Sequence, residues 1–376
     1  MQIPMSSPDL TDAEIQAVNG VLTTRWLSLG PQLEQFEAAF ARYTGTDHAV
    51  GVNSGTSGLH LAMIAAGIGA GDEVITPSFS FIASANCVVY ERGTPVFADI
   101  DPLTGTLDPA AVEAAITART KAIIAVHAFG QPADMDPLLE VARRHGLYVV
   151  EDACEAIGAE YRGRRAGTMS DAAVFAFYPN KQMTTGEGGM LVTDRAGWAD
   201  LFRSLRNQGR DVFDEWLNHT RLGYNYRLDE MSAALGLAQL GRIDELLARR
   251  ARVAAWYDER LDAIPALHKP YIAGTTTRMS WFVYVIRCAD GVDRNALMAH
   301  LKARGVPSRP YFTPIHLQPF YREQYGWQRG DLPHTERAGD TFLALPFSGV
   351  MTEEQVDYVC EQLRAGAESP GGRQSR

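Results

Sequence analysis

The segment Phe175-Ala176-Phe177-Tyr178-Pro179-Asn180-Lys181-Gln182-Met183-Thr184-Thr185-Gly186-Glu187-Gly188-Gly189 sets one lysine between a strand with alternating aromatic residues and a glycine-rich turn. A lysine at a strand exit is held on rigid backbone and is partly desolvated. Desolvation favours the neutral amine, the form that attacks a carbonyl carbon to make a Schiff base. The same residues also suit a surface lysine beside a hairpin, so the choice falls to what the rest of the chain places around Lys181.

Outward from this segment, short apolar runs alternate with amphipathic ones between about residues 48 and 195. The runs Ala49–Val52, Glu73–Thr76, Val96–Ala98, Ala122–Val126 and Tyr148–Val150 read as strands, and Ser57–Ala66, Pro109–Ile116 and Met135–His145 as helices. Such alternation predicts βα units around a mostly parallel sheet covered on both faces. Strands at Ala173–Phe177 and Met190–Val192 complete that sheet beside Lys181. Downstream, Leu228–Leu261 reads as one long helix, Trp281–Ile286 as a strand and Asp293–Arg304 as a helix, giving a smaller α+β domain. The expected divisions are an N-terminal segment near the site (1–30), a large α/β domain (31–245), a small domain (246–368) and a frayed Gly-, Arg- and Ser-rich tail (369–376).

With 376 residues, 46% hydrophobic and 21% charged, the chain has the composition of a globular enzyme of more than one domain. A formal net charge of -10 disfavours nucleic acid as a partner, because phosphates are repelled over most of the surface. The four cysteines are widely spaced without a CxxC pair, which supports neither a metal site nor a redox motif. No signal-peptide pattern and no membrane-length apolar run occurs, so a soluble cytoplasmic protein with reduced thiols is expected.

Three other segments bear on Lys181. Asn53-Ser54-Gly55-Thr56-Ser57-Gly58 follows a predicted strand and opens a predicted helix. Exposed N–H groups there suit a phosphate, and the same residues suit an ordinary N-cap. Glu151-Asp152-Ala153-Cys154-Glu155 follows a buried strand, where a carboxylate points into the crevice in which α/β proteins bind ligands. Asp152 there would hold a protonated pyridine nitrogen by a charge-assisted bond or cap the next helix. In Pro77-Ser78-Phe79-Ser80-Phe81 one ring would stack on a flat heterocycle, and the two phenylalanines share a face if the strand continues. A phosphate cradle, a stacking ring, a carboxylate and a Schiff-base lysine, in that order, describe pyridoxal 5′-phosphate held at the edge of an α/β sheet.

From Trp26-Leu27-Ser28-Leu29-Gly30-Pro31 to about Leu363 the chain resembles the DegT/DnrJ/EryC1/StrS family of sugar aminotransferases, in motif those that are perosamine-synthase-like 4-aminotransferases. The resemblance rests on Ser54–Thr56, Glu151–Ala159, Asn180–Gly189, Gly223–Arg227 and Pro314–Tyr321. It implies the fold-type-I architecture of aspartate aminotransferase and a homodimer with a shared site. Lys181 would bind the cofactor covalently and shuttle protons, Asp152 pair with its ring nitrogen, and Glu155 approach its phenolic oxygen, where relatives often carry Gln or His. Phe81 would stack, Thr56 and Ser57 hold the phosphate, and Asn225 reach the phosphate of the neighbouring subunit. Where many relatives have Ser before the lysine, this chain has Ala176, so one phosphate contact is lost or replaced.

Lysine rather than histidine at 181 implies transamination rather than dehydration. L-glutamate would convert the cofactor to pyridoxamine 5′-phosphate, which would aminate C4 of a nucleotide-linked 4-keto-6-deoxy sugar. Trp26, Ser28, Arg309, Tyr311 and His316 occupy positions at which relatives line the sugar pocket, and ordinary packing accounts for each equally well. Arg206 and Arg227 would meet a pyrophosphate or simply pair with carboxylates. The competing readings are an aminotransferase for a 3-keto sugar or keto-cyclitol, and a non-catalytic regulator of the same fold.

Overall fold

The computed structural model describes residues 3–211 and 218–368; the tail expected from residue 369 lies outside them. Helices α1 (Asp12–Thr24) and α2 (Pro31–Thr44) precede strand β1 (His48–Val52). The βα run continues through α3 (Gly55–Ala65), β2 (Glu73–Pro77), α4 (Ala83–Tyr90), β3 (Thr94–Ala98), α5 (Pro109–Ala114), β4 (Thr120–Val126), α6 (Met135–His145) and β5 (Tyr148–Asp152). A short hairpin, β6 (Glu160–Tyr161) and β7 (Arg164–Arg165), leads to β8 (Ala172–Ala176), β9 (Gly189–Thr193) and α7 (Ala196–Arg206).

The main sheet runs β1-β9-β8-β5-β4-β2-β3, with β9 antiparallel to both neighbours and the other pairs parallel. Ile123, Ile124 and Ala125 in β4 are all buried, as expected where helices cover both faces of a parallel sheet. The carboxyl ends of β5 and β8 lie side by side, and the chain leaves them at Asp152 and Ala176. That edge carries the candidate site.

The expected long helix is two, α8 (Glu230–Gly241) and α9 (Ile243–Leu261), broken at Arg242 with φ −112° and ψ 8°. Gly241 weakens the helix there. The Arg242 guanidinium is drawn to Asp9 (3.1 Å) and Glu14 (2.9 Å), so the N-terminal segment is fastened at the break. Residues Ser7–Asp9 then border a small cavity that Lys181 and Gln182 also line.

The rest of the chain forms β10 (Leu267–His268), β11 (Thr276–Arg278), β12 (Tyr284–Cys288), α10 (Arg294–Ala303), α11 (Pro319–Tyr325), α12 (Pro333–Thr341), β13 (Phe342–Leu345) and α13 (Glu353–Glu368). Strands β10, β12 and β13 make an antiparallel sheet, and β11 joins β6 and β7. The strand expected from Trp281 begins only at Tyr284. Residues before it spend their backbone groups elsewhere: the N–H groups of Ser280 and Phe282 donate to Gly130 (3.0 Å) and Phe129 (3.3 Å), and the Trp281 and Phe282 carbonyls accept from Arg250. Phe79, Phe129, Phe282, Phe312 and Phe342 form one apolar cluster joining this region to the main sheet.

Candidate active site

Beyond β8 the chain folds into a closed loop. Phe177 N–H donates to Gly188 O (3.0 Å), Thr185 N–H to Phe177 O (3.0 Å) and Lys181 N–H to Tyr178 O (2.9 Å). The Lys181 side chain, 13% exposed, ends 3.4 Å from Glu155 Oε1 and 3.8 Å from the centre of the Phe282 ring. Gln182 is buried beside it, its amide donating to Glu155 O (2.6 Å) and to Ser280 O and Oγ (each 2.8 Å).

Alternation along β5 sends Glu151 and Asp152 to opposite faces. Glu151 is fully buried and accepts from His127 Nε2 (2.8 Å), Gly167 N–H (2.7 Å), Met169 N–H (2.9 Å) and Ser170 Oγ (2.9 Å). Burial opposes its ionisation, but these bonds outweigh it and hold the carboxyl below the usual range. Ala133 N–H donates to His127 Nδ1 (3.1 Å), which leaves the ring hydrogen on Nε2 for Glu151. His127 N–H in turn donates to Asp152 O (3.0 Å), fixing the strand end.

Asp152, 7% exposed, has donors only on Cys154 among the described residues, the backbone N–H at 3.2 Å and the thiol. Burial pushes its pKa up, with the nearby Lys181 charge opposing. A buried carboxylate without a bonded cation is costly unless a cationic ligand completes it. Glu155 is equally buried; Phe129 N–H donates to Oε2 (2.9 Å) while Oε1 faces Lys181. Its pKa is also raised, by burial first, against the pull of Lys181. Phe129 reaches this position with φ 61°, an uncommon conformation for a non-glycine residue.

At the start of α3, Ser54 caps the helix by accepting from Ser57 N–H (3.1 Å), and Ser57 Oγ donates to Asn53 Oδ1 (2.7 Å). The first-turn N–H groups of Gly55 and Thr56 remain without helical partners. Gly55 is pressed against β8: a Cβ there would lie 2.8 Å from both Ala176 Cβ and Cys154 Sγ. The Ala176 methyl group therefore sits against the start of α3. Phe79 and Phe81 do not share a face, because β2 stops at Pro77, where the Ser78 carbonyl turns to accept from Ile315 N–H (2.8 Å). Phe79 is buried, whereas Phe81 is 63% exposed and free to stack.

The remaining expected residues fall in three places. Tyr311 stacks on Phe312 (5.0 Å between centroids) and its pKa is raised, by burial first and by the Glu155 charge, with Arg309 opposing; Arg309 itself is exposed and donates to Ser308 O (3.1 Å). Trp26, Ser28 and Asn225 are exposed along another edge. Trp26 Nε1 donates to Ser28 O (2.9 Å), Ser28 bridges to Asp229, and Asn225 O accepts from Asn53 Nδ2 (3.4 Å). His316 is fully buried instead: Nδ1 accepts from Ser78 Oγ (2.7 Å) and Nε2 meets Glu336 Oε1 (3.2 Å), which leaves no face for a sugar. Arg206 is likewise buried, held by Glu37 and Gly51 O, and is unavailable to a pyrophosphate. Arg227 donates to Asn207 Oδ1 (3.1 Å).

Sequence reading missed His127, Phe129, Gln182, Phe282 and Arg250. Two of them had a signal: Gln182 lies inside the 175–189 segment, and Arg250 falls on the buried stripe of α9 with Leu246, Val253 and Tyr257. Among the described residues no cluster of His, Cys, Asp or Glu is arranged to hold a metal, and no helix is long and apolar enough to cross a membrane.

A largely buried lysine at the carboxyl edge of an α/β sheet, with an under-satisfied aspartate on the next strand and a capped glycine turn beside it, is an arrangement whose residues fit a carbonyl cofactor. The DegT/DnrJ/EryC1/StrS aminotransferase family matches residues 8–364, and the chain belongs to that family. It is 45% identical over 366 residues to a GDP-perosamine synthase of Caulobacter vibrioides, covering 96% of this chain and 97% of that one. Its fold matches DesV of S. venezuelae in complex with a ketimine intermediate (TM-score 0.91, 41% identity, 98% and 99% coverage). It also matches the sugar aminotransferase Spr1654 of Streptococcus pneumoniae in PLP and PMP forms (TM-score 0.93, 28% identity, at least 98% coverage of both chains). The architecture is that of fold-type-I pyridoxal-phosphate enzymes, and the chain is a PLP-dependent sugar aminotransferase.

Proposed function

We propose that the enzyme transfers the amino group of L-glutamate to the C4 ketone of a nucleotide-linked 4-keto-6-deoxy sugar, for amino-sugar or polysaccharide synthesis. The observation carrying this reading is the buried set of Lys181, Glu155 and Asp152, in which the aspartate lacks a bonded cation. Asp152 would take the protonated ring nitrogen of pyridoxal 5′-phosphate, while Thr56 and Ser57 at the α3 turn would hold its phosphate and Phe81 would cover its ring. Glu155 would lie toward the phenolic oxygen, its outer oxygen fixed by Phe129 N–H. Bound there, the cofactor would supply an electron-poor ring into which the electrons of a breaking C–H bond spread. The Lys181 amine would take the proton from the donor's α carbon and deliver one to the sugar's C4.

The similarity to a GDP-perosamine synthase supports a nucleotide-linked sugar, and in this reading Tyr311 and Arg309 would meet it. A homodimer is part of the same proposal. The exposed Trp26, Leu27, Leu29, Phe81, Tyr90 and Leu222 are large apolar side chains. Several flank the segment carrying Asn225: Ser28 bridges Asp229, and Tyr90 packs on His60, which touches Tyr226. A second copy seated there would bring Asn225 to its partner's phosphate. The four unpaired cysteines suit a cytoplasmic setting.

The test follows the cofactor's absorbance. Excess L-glutamate converts the bound cofactor to its amino form, the amino acid is removed, and 4-keto-6-deoxy sugars linked to GDP, UDP or dTDP are added. Return of the original band with one of them establishes the substrate class. Conversion by glutamate without return for any nucleotide sugar rejects it in favour of a 3-keto sugar or keto-cyclitol. No response to glutamate rejects the donor.

A further inference from the structure

We propose that Arg250 is a positioning residue for Lys181, fixing through backbone carbonyls both the peptide that carries the amine and the aromatic ring on which the amine rests. Arg250 lies in the middle of α9 on its buried stripe and is 3% exposed. Among the described residues its guanidinium has no carboxylate partner in bonding distance. It donates instead to four main-chain oxygens: Nη2 to Lys181 O (2.7 Å) and Asn180 O (3.3 Å), and Nη1 to Phe282 O (3.0 Å) and Trp281 O (3.4 Å). The Phe347 ring lies 5.7 Å from its centre.

Two properties follow. An unpaired buried cation is costly, and it persists only where something is gained by holding it. Burial pulls the Arg250 pKa down to about 10, which still leaves it charged at neutral pH. The gain is geometric. A planar fork with donors on both arms spans two chain segments at a fixed spacing, which a flexible ammonium cannot do. One segment is the Lys181 loop; the other carries Phe282, whose ring centre is 3.8 Å from Lys181 Nζ. Arg250 thereby sets the distance between the amine and the ring. Gln182 reinforces the same pairing by bonding Glu155 O and Ser280 O.

This inference rests on Lys181 being the cofactor-binding amine, and the experiment separates the two. Full-length protein freed of cofactor is mixed with pyridoxal phosphate, and the rate of Schiff-base formation (amine plus aldehyde giving imine and water) is read from its absorbance. Variants R250M and R250K are compared with the unmodified protein, together with their melting temperatures and the kcat and KM for L-glutamate. A displacement of the amine on the ångström scale costs on the order of 100-fold in rate. The expected result is a rate about 10- to 100-fold lower in both variants and a matching loss in kcat, with KM within about 3-fold.

R250K keeps the charge and is expected to rescue little, because the geometry of the fork is what matters. Variants that only melt earlier, with a normal Schiff-base rate and kcat, would make Arg250 merely structural and overturn the proposal. So would full rescue by R250K. If R250M does not fold, R250K decides alone, and F282L, which leaves the four carbonyls in place, must also slow the reaction. Absence of the band in the unmodified protein would overturn the lysine reading itself, and this inference with it.

Discussion

At Gly130 the 128–130 turn is pressed closely against the segment bearing Phe282, and Gly130→Ala tests whether that closeness governs both stability and chemistry. Gly130 has φ +96°, and a Cβ there would lie 2.8 Å from Trp281 N, 2.9 Å from Ser280 C and 3.1 Å from Phe282 N. All three are backbone atoms, so relief requires moving a chain segment rather than rotating a side chain. The left-handed conformation costs an alanine about 1–2 kcal/mol, and overpacking against fixed backbone adds about 1–3 kcal/mol. Gly146 is the control: it ends α6 with φ +66° and nothing lies within 4 Å of its Cβ position, so Gly146→Ala bears the conformational cost alone. Urea unfolding by linear extrapolation should place G130A about 2–5 kcal/mol below the unmodified protein and G146A about 1–2 kcal/mol below it. Because the displaced segment carries Phe282 and the displaced turn carries the Phe129 N–H on Glu155, G130A should also slow Schiff-base formation at Lys181, and G146A should not. Equal destabilisation by the two substitutions, or a normal Schiff-base rate in G130A, would refute this reasoning.

Ala176→Ser places a hydroxyl beside the proposed phosphate cradle; a hydrogen bond to a charged phosphate contributes about 1.5 kcal/mol, so pyridoxal phosphate should bind about ten-fold more tightly in equilibrium titration. Asp152→Asn removes the proposed partner of the ring nitrogen and should slow the glutamate half-reaction by about 10- to 100-fold or more in stopped-flow absorbance. In the cofactor-free protein the same substitution should raise the melting temperature at neutral pH, because burial raises the Asp152 pKa and its ionised form is the disfavoured one. Burial also depresses the pKa of His316 below the ordinary imidazole value of 6.5, outweighing the opposing pull of Glu336. The stability tied to neutral His316 is present above that value and is lost as pH falls through the lower folded-state pKa, so His316→Gln should flatten the acid side of a stability-versus-pH curve measured by denaturant unfolding.

Lys181 and Asp152 were legible because each follows an apolar strand whose direction a parallel sheet fixes; once the strands are placed, their carboxyl ends meet at one edge. Period alone could not resolve the rest. Helical spacing runs on across Gly241 and Arg242; the glycine only weakens the helix, and what draws Arg242 out, Asp9 and Glu14, lies more than 200 residues away in the chain. Trp281–Val283 reads as strand because an apolar run does not disclose where its backbone groups will bond. His316 lies in a motif from which a sugar contact is expected, yet Ser78 and Glu336 take both of its nitrogens.

Arg250 shows why a residue can be visible in the sequence while its role is not. Its place on the buried stripe of α9 is visible in the spacing of Leu246, Arg250, Val253 and Tyr257, and a lone arginine there reads as a side chain snorkelling to solvent. What distinguishes it is its acceptors, carbonyl oxygens 31 to 70 positions away. Every residue type carries a carbonyl, so such a partnership leaves no mark in the composition of the acceptor segments. Side-chain chemistry at a strand end can be inferred from one sequence; a cation held by main chain becomes visible only once the backbone is in place.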